Sequence, residues 1–253
     1  MAMRITLLHC LELRVQVGLL AWADLDEAII DMAWHHLPAE DAAVIRRYQH
    51  EADRLRSMGA RIALAWMWAQ QGGLAGASVR VAHARTGGHR PVPDGNPAWP
   101  ILSRLRKDPH GRPWLDAQGT DDMPSIGFSH AGAWSVCAVS PSGERIGVDI
   151  EQQPADPAGM DSIFSAEEHG RLRTAAFAGV AANRALLKGW TIKEAALKAV
   201  GSGFLAAPQA WQISPEWPAM EEGMGTIQGP QDSARWCHLE SPSGYVLTVA
   251  RLD

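Results

Sequence analysis

The sequence predicts an α+β protein of two lobes that meet along a cleft. Two observations carry this. Each half of the chain holds one long run of helical spacing, at 51–71 and 181–200, and each half also holds several short β-rich runs bounded by turn residues. Size agrees, since 253 residues with 46% hydrophobic content can bury a substantial core as one large domain or two modest lobes.

Along the chain, residues 5–13 and 15–21 read as strands or one bent strand, and 25–35 shows helical spacing of Leu25, Ile29 and Met32. A helix is expected to start within 38–47. From 51 to 71 the apolar positions Leu55, Met58, Ile62, Ala65, Trp66 and Ala69 recur at steps of three and four, which predicts an amphipathic helix ended by Gly72-Gly73. The Gly-, Pro- and Asp-rich stretch 86–124 reads as a long irregular connection with one short strand at 113–116. Runs 125–130, 133–140 and 145–150 are expected to form a three-stranded meander, the last two joined by Pro141-Ser142-Gly143-Glu144. Ser165 with Glu168 three residues on is a capping box that opens a helix. The second long helix stops at Gly201-Ser202-Gly203, and strands come after it at 211–214, 225–228, 234–241 and 245–252.

Composition excludes several classes. A net charge of −5 argues against a protein whose main affinity is for nucleic-acid backbone, although Arg46, Arg47, Arg54, Arg56 and Arg61 form a local basic cluster. That cluster is either an anion-binding patch or a solvated helix face. The cysteines Cys10, Cys137 and Cys237 are far apart and odd in number, which fits a reducing cytoplasm. Arg4, His9, Glu12, Arg14 and Gln16 interrupt the first apolar stretch, so neither a signal-peptide core nor a membrane span is expected there.

Chemistry concentrates in three segments. In Gly147-Val148-Asp149-Ile150-Glu151 the two acids lie two residues apart on a strand, so their carboxylates leave one face and repel. A hard cation such as Mg²⁺ would relieve that repulsion, and an exposed edge strand with both acids in water is the plain alternative. In Trp190-Thr191-Ile192-Lys193-Glu194-Ala195-Ala196-Leu197-Lys198, Glu194 and Lys198 share a helix face with Trp190. This is either a surface ion pair or a metal-ligating acid beside a phosphate-binding lysine. The third segment, Phe128-Ser129-His130, offers a histidine at a strand end as a phosphate donor. Gly127-Phe128-Ser129-His130-Ala131 also imitates a G-x-S-x-G nucleophile elbow, but Trp134 to Val139 just beyond it are strand-like, where an elbow requires a helix.

Together and in this order, the segments resemble the Sfp-type 4'-phosphopantetheinyl transferases. Phe164-Ser165-Ala166-Glu167-Glu168 and Gly201-Ser202-Gly203-Phe204 match further blocks of that family, as do Asp53-Arg54-Leu55-Arg56-Ser57 and Gly111-Arg112-Pro113, so the resemblance spans 46–204. It implies two pseudo-symmetric lobes, 1–143 and 144–253, each a long helix packed on a small, mostly antiparallel sheet, with the active site between them. It implies Asp149, Glu151 and Glu194 around Mg²⁺, with Mn²⁺ as the alternative, and coenzyme A as co-substrate. Lys198 and His130 would lie at its phosphates, Arg56 and Ser57 near the nucleotide, and Gly111, Arg112 and Pro113 near the adenine, with Ser129 also among the coenzyme-binding residues. Glu40 and Asp41 depart from the family, which often carries a basic residue there for the 3'-phosphate.

The implied activity is that of a holo-[acyl-carrier-protein] synthase. The 4'-phosphopantetheine arm of coenzyme A passes to a serine of an apo acyl or peptidyl carrier protein, and 3',5'-ADP leaves. Glu194 and Lys198 would be the catalytic pair, and the base would be a carboxylate such as Glu194, directly or through a metal-bound water. The expected protein is cytoplasmic and monomeric, without nucleic-acid or membrane partners. Two other readings stay open: a serine hydrolase on Ser129 with His169 or His238 as base, and a non-catalytic module that binds carrier proteins or coenzyme A.

Overall fold

A computed structural model describes residues 5–70, 97–117, 123–141, 143–153, 158–177, 179, 181–201, 207–218 and 223–253. Gly72-Gly73, residues 86–96 and 118–122 of the expected 86–124 connection, and Ser202-Gly203-Phe204 lie outside the described residues. The chain divides into two compact units, Met1–Glu144 and Arg145–Asp253.

In the first unit, β1 (Ile5–Cys10) and β2 (Val15–Ala21) form a hairpin, closed by Arg14 in the left-handed region at φ 57°. Helix α1 (Glu27–His36) is capped by Asp26, whose carboxylate accepts from the Ile29 amide at 2.8 Å. Helices α2 (Ala39–Arg46) and α3 (Glu51–Gln70) come next, then a two-stranded ribbon of β3 (Leu105–Lys107) and β4 (Pro113–Leu115). Strands β5 (Ser125–Ala131) and β6 (Trp134–Ser140) complete an antiparallel sheet of order β1-β2-β6-β5, against which α3 packs.

Helix α3 is not the amphipathic helix its spacing predicts, because every residue from Ser57 to Met67 is buried. Small residues make this possible: a Cβ on Gly59 would meet the Ser135 Cβ at 3.0 Å, so the helix lies close on β6. Arg61 is buried within this stretch. Taking a guanidinium out of water costs several kcal/mol unless it is fully paired, and Asp41 pairs it in bidentate fashion at 2.6 and 2.8 Å. Burial alone would raise the Asp41 carboxyl, but the charges of Arg61 and Lys107 hold it below the usual carboxylate range.

The second unit starts with β7 (Ile146–Gln152). It continues through α4 (Ala166–Phe177), α5 (Ala182–Val200), β8 (Gln212–Ile213), β9 (Met224–Gln228), β10 (Ser233–Leu239) and β11 (Tyr245–Leu252). These strands make one antiparallel sheet of order β7-β11-β10-β9-β8. The expected meander is therefore corrected: β5 and β6 pair, but β7 crosses to a different sheet and takes β11 as its partner. Helix α5 lies on β7 and β11 and ends at Gly201, whose φ of 81° suits a residue without a Cβ. Trp211, Trp217 and Trp236 fill the core beneath it.

Candidate functional site

Strand β7 brings Asp149 and Glu151 to one face, and α5 brings Glu194 and Lys198 to the same place. Gly147 sets how closely the two elements approach. A Cβ there would lie 2.6 Å from the Ala199 amide nitrogen and still nearer the Ala195 carbonyl oxygen, so the helix backbone rests directly on the strand. Only a glycine permits that contact, which explains the first position of the Gly-x-Asp-x-Glu pattern. Nothing in the local spacing signals this role, since the helix that presses on Gly147 lies some fifty residues away.

Lys198 Nζ donates to Asp149 Oδ1 at 2.6 Å and to the Val148 carbonyl at 3.2 Å. Asp149 is 3% exposed, whereas Lys198 keeps 36% of its side-chain surface open, so a buried acid is held by a partly exposed lysine. Burial, and then the Asp149 charge, push Glu151 up to about 7, with Glu194 adding to that push and Lys198 opposing it. Burial and Asp149 likewise push Glu194 up to about 7. For Lys198 burial works downward, but the Asp149 charge and hydrogen bond, with Glu194 and Glu151 behind them, raise it above the ordinary lysine value. Each of these groups feels the others, so they form one electrostatic cluster.

The donor set suits a hard divalent cation. All three acids offer oxygen, and Glu194 Oε1 is buried with no hydrogen-bond partner among the described residues. In this conformation, however, no three His, Cys, Asp or Glu side chains among the described residues form a metal-ligating group, and Lys198 occupies Asp149 Oδ1. The Trp190 indole lies close enough to favour the charged form of Glu151 without reaching hydrogen-bond geometry.

The neighbouring motif charges serve the fold. Lys193 and Glu168 are both 0% exposed and pair at 2.7 Å. Lys193 Nζ also donates to the Ile163 and Pro208 carbonyls, each at 3.0 Å, which uses all three ammonium donors. Glu168 closes the predicted capping box by accepting from the Ser165 amide at 2.9 Å, and it takes the Ile213 amide at 3.0 Å. Burial draws the Lys193 pKa down against the pull of Glu168.

Within the first unit, Arg56 donates to the Gly132 carbonyl at 2.8 Å and pairs with Asp53. Ser57 is buried, and its hydroxyl accepts from Arg61 at 3.0 Å. His130 is half-buried, with its ring edge-on to Tyr48 at 6.4 Å. Gly111 (φ 87°), Arg112 and Pro113 sit at the tip and base of the β3–β4 ribbon, where Asp108 Oδ1 accepts from the Arg112 amide at 2.9 Å. Ser129 is buried inside β5, and a turn at Gly132 leads straight into β6, so the strand-to-helix elbow that a serine nucleophile needs is not formed. The basic cluster is largely committed: Arg61 to Asp41, Arg54 to the Tyr48 carbonyl at 2.9 Å, and Arg46 over the Trp34 ring at 5.1 Å.

Residues 145–250 match the model of the 4'-phosphopantetheinyl transferase superfamily. A phosphopantetheinyl transferase of Thraustochytrium sp. is 27% identical to the chain, across 66% of this chain and 53% of that protein. The chain thus spans about half the length of that curated relative.

Proposed function

We infer that this chain, whose residues 145–250 match the model of the 4'-phosphopantetheinyl transferase superfamily, transfers 4'-phosphopantetheine from coenzyme A to a serine of an apo carrier protein. The observation that carries the reading is the cluster itself: Asp149 and Glu151 from β7 meet Glu194 and Lys198 from α5, with Lys198 bound to Asp149 at 2.6 Å. One buried and two half-buried acids share a single ammonium, and a bound Mg²⁺ would supply the positive charge that a diphosphate needs in order to bind there.

Asp149 and Glu151 are the strand-borne ligands and Glu194 the helix-borne one. Lys198, a partly exposed side chain, turns its ammonium to a phosphate oxygen. The carrier serine oxygen bonds to the β-phosphorus, the bond from that phosphorus to the bridging oxygen breaks, and 3',5'-ADP departs with the electron pair. Glu194 takes the serine proton, because its Oε1 is a buried acceptor that no described group uses. His130, Ser129, Arg56, Gly111, Arg112 and Pro113 are assigned to coenzyme A. Ser57 supports that set indirectly, since it is buried and Arg61 engages both its hydroxyl and its carbonyl.

The test is intact-mass analysis of a panel of apo carrier proteins incubated with the chain, coenzyme A and Mg²⁺. We expect a gain of one phosphopantetheine, lost in Asp149→Ala. Full transfer by Asp149→Ala would overturn the assignment, and no transfer to any carrier would favour a binding module.

A further inference from the structure

The α5 face of the second sheet carries a row of polar side chains that the proposed chemistry does not use. Asp149 on β7 is registered opposite Thr248 on β11, and Thr248 is registered opposite His238 on β10. Directly opposed residues of antiparallel strands point to one side. His238 Nδ1 lies 2.8 Å from Thr248 Oγ1, and Thr248 Oγ1 lies 2.7 Å from Thr191 Oγ1 on α5.

Proton counting fixes the direction of this chain. Thr191 donates its hydroxyl proton to the Lys188 carbonyl at 2.9 Å, so toward Thr248 it only accepts. Thr248 must then donate to Thr191, and it accepts from His238. His238 therefore carries a proton on Nδ1, and its Nε2 is buried with no partner among the described residues. The chain ends on a carbonyl, so it relays no proton. Its effect is geometric: it ties α5 to the strand row that bears Asp149, three residues before Glu194 and seven before Lys198.

We propose that Thr248 is a positioning residue, whose hydroxyl, directed by His238, sets the register of α5 on the sheet and so places Glu194 against Asp149 and Glu151. Its functional half rests on the transferase reading. Lys198 and Asp149 make a second tie, but that tie is drawn on when Lys198 turns to a phosphate. The threonine pair does not depend on it. Both hydroxyls are fully buried, so the bond is shielded from competing water.

The experiment compares Thr248→Val, which removes the hydroxyl at nearly constant shape, with Thr248→Ser, which keeps it. If the valine variant does not fold, Thr248→Cys, a much weaker donor, replaces it. With coenzyme A and an apo carrier we expect the valine variant to lose about tenfold in kcat, while KM for coenzyme A stays within about twofold, because misplacement of a reacting group acts on turnover rather than on coenzyme binding. The serine variant should recover most of that loss. Nitrogen-15 spectra should show wild-type His238 as the Nδ1–H tautomer, and the valine variant should lose that preference. An Nε2–H tautomer in the wild type, or unchanged kcat in a folded valine variant, overturns the proposal. Should the wild type itself transfer nothing, the transferase reading fails, and a crystal structure of the valine variant decides the positioning claim. A shift of Glu194 away from Asp149 upholds it, and an unchanged separation overturns it.

Discussion

Replacing Lys193 by methionine keeps the length and apolar stem of the side chain and removes only the ammonium. Three acceptors then lose their donor: Glu168 Oε2 at 2.7 Å, and the Ile163 and Pro208 carbonyls at 3.0 Å. The decisive loss is at Glu168, which is 0% exposed and cannot recruit water. Removing one partner of a buried ion pair costs about 3–5 kcal/mol. The Ser165 and Ile213 amides still hold Glu168, so the lower half of that range applies, about 3 kcal/mol. For a chain of 253 residues this lowers the melting temperature by about 6–12 °C. In Lys193→Met/Glu168→Gln the carboxylate is gone and the amide can still accept from Ile213, so the double variant should be more stable than the two single losses summed, by about 2 kcal/mol. Urea denaturation followed by tryptophan fluorescence reads this, since Trp211, Trp217 and Trp236 are buried in the same unit. A loss below about 1 kcal/mol in Lys193→Met, or strict additivity in the double variant, would refute the assignment of this pair to the fold.

Other expectations rest on the same logic. Burial, with Lys188 and Arg184 nearby, lowers His238 from 6.5 to about 3. Below pH 6.5 the unfolded chain therefore binds a proton that the folded chain refuses, and stability falls with pH until about 3. Between pH 7 and pH 5 this contributes about 2 kcal/mol of acid destabilisation, which His238→Gln should remove; parallel pH profiles for wild type and variant would contradict it. Gly147→Ala forces a methyl into the α5 backbone, and since backbone cannot rotate away, a loss of about 3 kcal/mol or more is expected in the same denaturation assay. Transfer activity should fall further than the fraction unfolded accounts for, because α5 carries Glu194 and Lys198.

Local patterns were legible in the sequence, and long-range partners were not. Asp149 and Glu151 alternate along a strand, Glu194 and Lys198 recur along a helix, and Ser165 with Glu168 announces a helix start, because each pattern is confined to a few residues with a fixed period. The destination of β7 was not legible. A β-rich run after a turn reads as the next strand of a meander, whereas Thr248 and its neighbours, about a hundred residues on, supply the pairing. Charges misled for the same reason. Asp41 reads as a departure from the family's basic residue, but it is the counter-ion of a buried arginine twenty residues away. Arg61 and Lys193 are charged residues inside long helices, and nothing in their spacing signals burial. His238 invites a reading as a hydrolytic base, yet its Nδ1 lies 2.8 Å from Thr248 Oγ1 in the strand row.

The bare contact of Gly147 with the helix above it has a consequence for how such a protein can change. With no side chain interposed, the distance between the strand and helix backbones at this level is a property of two backbones in touch, and no exchange of rotamers can narrow it. That backbone distance behaves as a fixed gauge. New substrates would have to be accommodated by the surfaces that deliver them, leaving the gauge itself untouched.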